Sequence, residues 1–260
     1  MTTLVIDAPT AIRDAVLAHV LDVLDRTHVE RSPFAHFFTE GIFPADVYDE
    51  MLAHLPPLEL YRPDNPKKYA RAALLEGLLH VSSCRYTFGL DNANLARLPE
   101  RSRAIWTGVA AALTAPELKR KIFGMLADDL CRRFRTDVDG LQRLAVYPKP
   151  GLVRDFQGYW IAPHPDTRAK VVTAQFYLAS DDSQRALGTA VYRRRLLNPR
   201  NLISLRNVFE KVKQFDFLRN SGYGFAVGRR SWHGREKVPK DTGERNSILL
   251  FYYKDPSRGW

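Results

Sequence analysis

The chain has 260 residues, 45% apolar and 26% charged, which are globular proportions that exclude wholesale disorder. Its net charge of +10 is unevenly spread: residues 1–60 hold 3 Lys/Arg against 10 Asp/Glu (−7), and residues 61–260 hold 36 against 19 (+17). Two cysteines, Cys84 and Cys131, with no Cys-x-x-Cys pair exclude a zinc ribbon, an iron–sulfur site and a disulfide-dense scaffold.

In chain order, the first element is a helix over residues 9–25, with Ile12, Val16, Val20 and Val23/Leu24 at helical spacing and Thr10 or Asp7 as its cap. A short helix follows Phe43-Pro44, with Val47, Met51 and Leu55 on one face, and Pro56-Pro57 ends it. Residues 58–70, rich in proline and charge, read as a loop. Glu100–Leu113 and residues 116–134 read as two further helices. Pro116 suits a first turn, and Arg132, Arg133 and Arg135 suit a C-terminal end. Residues 1–140 are therefore expected to be mainly helical and to support a core.

After Gly140 the pattern changes to short β-branched or alternating runs: 144–147, 158–162, 170–179, 188–194, 222–227 and 247–253. Such a run of strands, with little room for helices, indicates an antiparallel sandwich or jelly roll over residues 141–260, in one compact α+β domain overall. Residues 195–220 break the pattern and read as a loop. Two separate buried thiols are expected from the cysteines. Met1–Asp7 has no basic segment before its short apolar run, and no apolar stretch approaches about 18 residues, so the expectation is a cytoplasmic protein with no membrane span.

The sequence has no phosphate-binding GxxxxGK[ST], no GxSxG nucleophile elbow and no HExxH zinc motif. Gly222-Tyr-Gly224-Phe-Ala-Val-Gly228 has its third glycine one residue late for a dinucleotide loop, and reads as a strand. The chemistry-bearing constellation is Trp160-Ile-Ala-Pro-His164-Pro-Asp166, then Ser231-Trp-His233, then Gly243-Glu-Arg245-Asn-Ser247. His164 and Asp166, two apart on a strand, would share one face, and His233 on a facing strand would complete two imidazoles and a carboxylate. That set leaves coordination positions open and suits non-haem Fe(II). A His-x-Asp spacing alone says little, since His28-Val29-Glu30 shows a similar pattern at the end of the first helix. The context adds weight: after His80, His164 and His233 are the only histidines, and Arg245 follows twelve residues after His233. The alternative for each histidine, a buried or surface imidazole that binds no metal, is outweighed once these pieces are counted together.

The order His-x-Asp, His, Arg-x-Ser resembles the Fe(II)/2-oxoglutarate-dependent dioxygenases, nearest in flavour to the prolyl 4-hydroxylase-like branch. The segment from Ser32 to Pro44 is similar to the family's entry segment, where a short strand precedes a helix. Lys170 to Leu178, followed by Gly188-Thr189, resembles the next core strands. The resemblance implies a double-stranded β-helix (jelly-roll) core with the N-terminal helices packed on one sheet. It implies Fe(II) on His164, Asp166 and His233, with 2-oxoglutarate and dioxygen at the open positions and ascorbate as a candidate reductant. It places Arg245 on the distal carboxylate of 2-oxoglutarate through a bidentate fork, with Ser247 beside it. Tyr147, Tyr159 and Gln175 are weaker candidates for the same pocket, and Trp232 reads as core.

Two departures stand out: residues 148–158, between Tyr147 and the metal strand, look longer than is usual in the family, which blurs the role of Tyr147, and 195–220 looks inserted, as segments that shape the substrate pocket in this fold often are. The reaction implied converts 2-oxoglutarate to succinate and CO2 while hydroxylating an unactivated C–H bond. Asp166 argues against halogenation, in which related enzymes lack the carboxylate. Arg168, Arg193, Arg194, Arg229 and Arg230 flank the metal strands, so an anionic or amino-acid-like small molecule is the expected substrate. Competing readings are an oxygenase acting on protein or nucleic acid, a metal oxygenase that needs no 2-oxoglutarate, and a non-catalytic jelly-roll binding protein. Nucleic acid is disfavoured, since charge is its only support.

Overall fold

A computed structural model describes residues 8–64, 84–195, 208–240 and 243–260. The end of the 58–70 loop and much of the 195–220 insert lie outside the described residues, as does the Asp7 cap. Of the 58–70 loop, the described part holds a 3-10 turn at Leu58–Leu60 and a two-residue strand, β3 (Arg62–Pro63).

The first helix, α1 (Pro9–Arg26), buries the expected stripe of Ile12, Val16, Val20, Val23 and Leu24. Ala8, not Thr10, occupies its N-cap, and Pro9 takes the first turn, where its missing N–H costs nothing. Two short strands follow, β1 (Val29–Glu30) and β2 (His36–Glu40), and then α2 (Ala45–Ala53), which buries Val47 and Met51 and stops before Pro56-Pro57. After β4 (Arg85–Gly89) and the single turn α3 (Asn92–Leu95) comes α4 (Glu100–Leu113), with the expected bounds. The single helix expected over 116–134 is two, α5 (Pro116–Met125) and α6 (Ala127–Phe134). Leu126, at φ −101° and ψ 15°, breaks the backbone, while Leu118, Ile122, Leu126 and Leu130 remain one buried i, i+4 stripe that reads as continuous in sequence. A short α7 (Val138–Arg143) precedes the strand-rich part.

The strands there are β5 (Tyr147–Asp155), β6 (Ile161–His164), β7 (Lys170–Tyr177), β8 (Ala190–Arg194), β9 (Phe209–Gln214), β10 (Ser221–Ala226), β11 (His233–Arg235) and β12 (Arg245–Tyr253). They form an eight-stranded sheet, β1-β2-β10-β7-β12-β5-β4-β3, and a four-stranded sheet, β6-β11-β8-β9. Every pairing is antiparallel. Because β1 to β4 belong to the large sheet, a division at residue 140 does not separate helices from strands.

Two expectations over this region are corrected. The strand expected over 144–147 instead begins at Tyr147 and runs through the following segment to Asp155. Pro148 and Pro150 hid that strand. Before Gly151 its only ladder partner is β12, apart from a Leu90 N–H donated to the Pro150 carbonyl, so prolines lacking an N–H are tolerated there. The 195–220 segment is likewise not all loop, since its described part contains β9 paired to β8.

The large sheet has an apolar face toward the helices and a polar face toward the small sheet. On the apolar side Phe176 meets Phe43, and Tyr252 meets Phe123 of α5. By alternation, Thr173 and Gln175 of β7 and Arg245, Leu249 and Phe251 of β12 face the other way, where they line a cavity shared with β6 and β11. Neither cysteine is in a disulfide; Cys84 is buried as expected, and Cys131 is half-buried. Among the described residues, no helix is long and apolar enough to cross a membrane.

A candidate metal and anion site between the sheets

His164 ends β6 and His233 opens β11, and the register makes them direct cross-strand partners with ring centroids 4.5 Å apart. His233 therefore sits on the neighbouring strand of the same sheet, not on a facing one. Asp166 lies past the strand end, after Pro165, and reaches the site from the loop rather than by strand alternation. Gly234 permits the close pairing, since a Cβ there would stand 2.8 Å from the Ile161 carbonyl oxygen. One ligand atom from each of His164, Asp166 and His233 falls within 4.8 Å of the others.

The two imidazoles are oriented alike. His164 Nδ1–H donates to the Ala162 carbonyl and His233 Nδ1–H to the Ser231 carbonyl, each at 3.0 Å. A carbonyl only accepts, so it fixes the proton on Nδ1 and leaves both Nε2 lone pairs for a ligand. Burial pushes the His233 pKa down to about 4, outweighing the pull of Asp166, so the ring is neutral at pH 7, as metal ligation requires.

Asp166 accepts from Lys170 Nζ at 2.7 Å and Thr173 Oγ1 at 2.6 Å. Burial would raise its pKa, but Lys170, His233 and these hydrogen bonds hold it down to about 2. Lys170 is itself seated 3.6 Å from the Phe251 ring centroid.

Away from this cluster, the same cavity of about 110 Å³ carries three arginines. Asp155, fully buried at the end of β5, is in register with Arg85 on one side and Arg245 on the other. Arg85 grips it with both nitrogens of one edge, Nε to Oδ1 at 2.6 Å and Nη2 to Oδ2 at 2.9 Å. Arg245 Nη1 adds a contact to Oδ2 at 2.7 Å, and its Nε donates to the Leu187 carbonyl at 2.9 Å. Burial would raise the Asp155 pKa, yet Arg85, with Arg245 and Arg235, holds it below the ordinary range.

The bidentate fork expected of Arg245 is thus half used, and only Nη2 lacks a partner. Arg235, two residues after His233 on the same strand, is 4% exposed, and its Nε and Nη2 have no hydrogen-bond partner among the described residues. Burial, aided by repulsion from Arg245, lowers its pKa to about 10. Three guanidiniums therefore face one internal carboxylate, a charge excess that a desolvated site does not carry cheaply.

The remaining sequence candidates divide. Tyr159 lines the cavity, with the Arg85 guanidinium 3.9 Å above its ring. Gln175 lines it too, donating to Ser247 Oγ at 2.7 Å and accepting from Tyr223 OH at 2.8 Å. Ser247 is fully buried and meets Gln175. Tyr147 is 38% exposed at the other end of β5, about 25 Å along the strand from Asp155, and is not brought to the site. Trp232 is half-buried against Phe209 rather than in the core. Sequence reasoning missed Arg85, Asp155, Thr173, Tyr223 and Arg235. The one available signal was His233-Gly-Arg235, an i, i+2 pair that shares a strand face.

A wider cleft of about 890 Å³ reaches Asp166 from outside. Six arginines line it; Arg31 pairs with Asp128, Arg132 with Asp129, and Arg133 donates to the Val227 and Arg168 carbonyls. The side chains of Arg168, Arg229 and Arg230 make no hydrogen bond or ion pair among the described residues. Arg193 and Arg194 lie at the end of β8 and do not line it.

No family model matches the sequence, and no curated protein matches it. Solved structures do show likeness. A prolyl 4-hydroxylase from Phytophthora capsici is 11% identical at TM-score 0.48, over 93% of this chain and 65% of that one. A prolyl-4-hydroxylase from Pseudomonas putida is 12% identical at 0.47, over 92% and 99%. HygX from Streptomyces hygroscopicus, solved with nickel, 2-oxoglutarate and hygromycin B, is 10% identical at 0.45, over 90% and 86%. The functional reading rests on the donor set and the arginines.

Proposed function

We propose that the chain is an Fe(II)- and 2-oxoglutarate-dependent oxygenase with a double-stranded β-helix core, acting on a small anionic molecule. One observation carries it: His164, Asp166 and His233 converge with both imidazoles locked to present Nε2. Two neutral nitrogens and one carboxylate fit a divalent ion such as Fe(II) and leave positions for exogenous ligands. Bound there, Fe(II) would supply dioxygen activation coupled to 2-oxoglutarate decarboxylation. In balance, 2-oxoglutarate, O2 and R–H give succinate, CO2 and R–OH.

The chain's own residues supply orientation and charge. Lys170 and Thr173 hold the Asp166 carboxylate in place and ionised. The arginines beside Asp155 make the far end of the cavity a carboxylate site, which favours a 2-oxo dicarboxylate over a metal oxygenase without one. Helices of the N-terminal region buttress the opposite face of the large sheet, as the contact of Phe123 with Tyr252 illustrates.

The substrate class follows from the outer cleft. Its carboxylates at Asp128 and Asp129 are already paired, whereas Arg168, Arg229 and Arg230 are exposed and make no side-chain hydrogen bond or ion pair among the described residues. A succinate-release screen should show stimulation by acidic metabolites and amino acids and none by neutral analogues. Replacing Arg229 and Arg230 with alanine should raise KM for the accepted substrate about tenfold, with kcat and 2-oxoglutarate affinity unchanged. Equal stimulation by neutral compounds would remove the anionic assignment.

A further inference from the structure

The orphaned edge of Arg235 points to a ligand. Its Nε–H and Nη2–H lie in the guanidinium plane along one edge and point in parallel, a spacing matched to the two oxygens of one carboxylate. Arg85 shows that match in the same cavity, using its Nε and Nη2 on Asp155 at 2.6 and 2.9 Å. Asp155 already accepts three hydrogen bonds from Arg85 and Arg245, and neither Nε nor Nη2 of Arg235 bonds to it. Arg235 is left 4% exposed with two unmet donors beside a cavity of about 110 Å³. That space is far more than the roughly 10–15 Å³ one water needs. His233 and Arg235 both line that cavity, on a strand whose pairing with β6 shifts register between them. A molecule held near His233 can therefore reach Arg235 with its other end.

Building on the proposed cosubstrate, we infer that Arg235 is the bidentate clamp for the distal carboxylate of 2-oxoglutarate, with Arg245 contributing only Nη2. Asp155 positions Arg245 by holding Nη1, as the Leu187 carbonyl does by accepting from Nε. Without ligand, Arg235 is a buried cation with unmet donors, so an apolar residue of similar length is tolerated or preferred there.

The test is calorimetric titration of 2-oxoglutarate and of pyruvate, a 2-oxo acid without the second carboxylate, into the Mn(II)-loaded protein. In Arg235→Met the 2-oxoglutarate Kd should rise at least about 30-fold, while Mn(II) affinity and pyruvate affinity stay within about twofold. Arg235→Lys should recover little, since an ammonium lacks the fork. Thermal melts give a second readout: ligand-free Arg235→Met should melt about 2–4 °C above wild type and lose the 2-oxoglutarate-induced rise. A lower melting temperature with unchanged 2-oxoglutarate affinity marks a structural guanidinium and overturns the inference. A wild type that binds Mn(II) but neither 2-oxo acid defeats the underlying cosubstrate reading, and the inference with it.

Discussion

Asp166→Ala is expected to lower 2-oxoglutarate turnover by more than about 10³-fold and to weaken divalent-metal binding to a similar degree. The size follows from position. Residues that only orient a metal ligand cost about 10–100-fold when lost, and Asp166 is placed to be the ligand itself. Thr173→Val supplies the internal comparison, because it removes one hydrogen bond to Asp166 Oδ2 and leaves the carboxylate. It should fall within that smaller range. The alanine variant also strands Lys170, whose ammonium sits between Asp166 and the Phe251 ring. Side by side, titration of Mn(II) and measurement of succinate decide the matter. Equal metal affinity in wild type and Asp166→Ala would remove Asp166 from the ligand set.

The second large effect falls on stability. Asp155→Asn keeps the shape of the side chain and removes the charge that Arg85 and Arg245 share. Breaking a buried pair by deleting one partner typically costs about 3–5 kcal/mol, which for a chain of this size lowers Tm by roughly 6–20 °C. Because the folded carboxylate titrates below its ordinary value, its stabilisation is complete above that value, about 3.9. It is then lost as pH falls through the depressed folded pKa. Urea denaturation at pH 7 and at successively lower pH should show wild type losing stability below about pH 4, with a shallower loss in Asp155→Asn. A variant as stable as wild type at pH 7 would mean that the three arginines need no internal carboxylate.

Much of this was legible because local patterns sufficed. α1 and α4 carry clean 3.6-residue stripes, and β7 and β12 are long runs of β-branched and aromatic residues. The cluster of His164, Asp166 and His233 was legible because its two histidines are the only ones after His80 and fall in the strand-rich part. β5 was not, because Pro148, Pro150 and Gly151 read as a breaker until one knows that β4 leaves that stretch of strand uncovered. Charged β9, Phe-Glu-Lys-Val-Lys-Gln, is an edge strand with no buried apolar face to give it away. Tyr147 was misplaced for the same reason as β5: with that strand unseen, its distance from the site was hidden.

Arg235 was out of reach for a different reason. In sequence it is one of 39 basic residues. Its meaning depends on Asp155, eighty residues earlier, being already occupied by Arg85 and Arg245. The overall basic surplus becomes specific in the same way. Arg85, Arg235 and Arg245 surround the inner cavity, and Arg168, Arg229 and Arg230 line the outer cleft.

The most direct test is the fate of 2-oxoglutarate in the Fe(II)-loaded protein under air. An oxygenase built on this site releases one succinate and one CO2 for each 2-oxoglutarate consumed, slowly alone and faster with an accepted anionic substrate, and His233→Ala abolishes both. Dioxygen consumption without succinate, or identical succinate yields from wild type and His233→Ala, would contradict it.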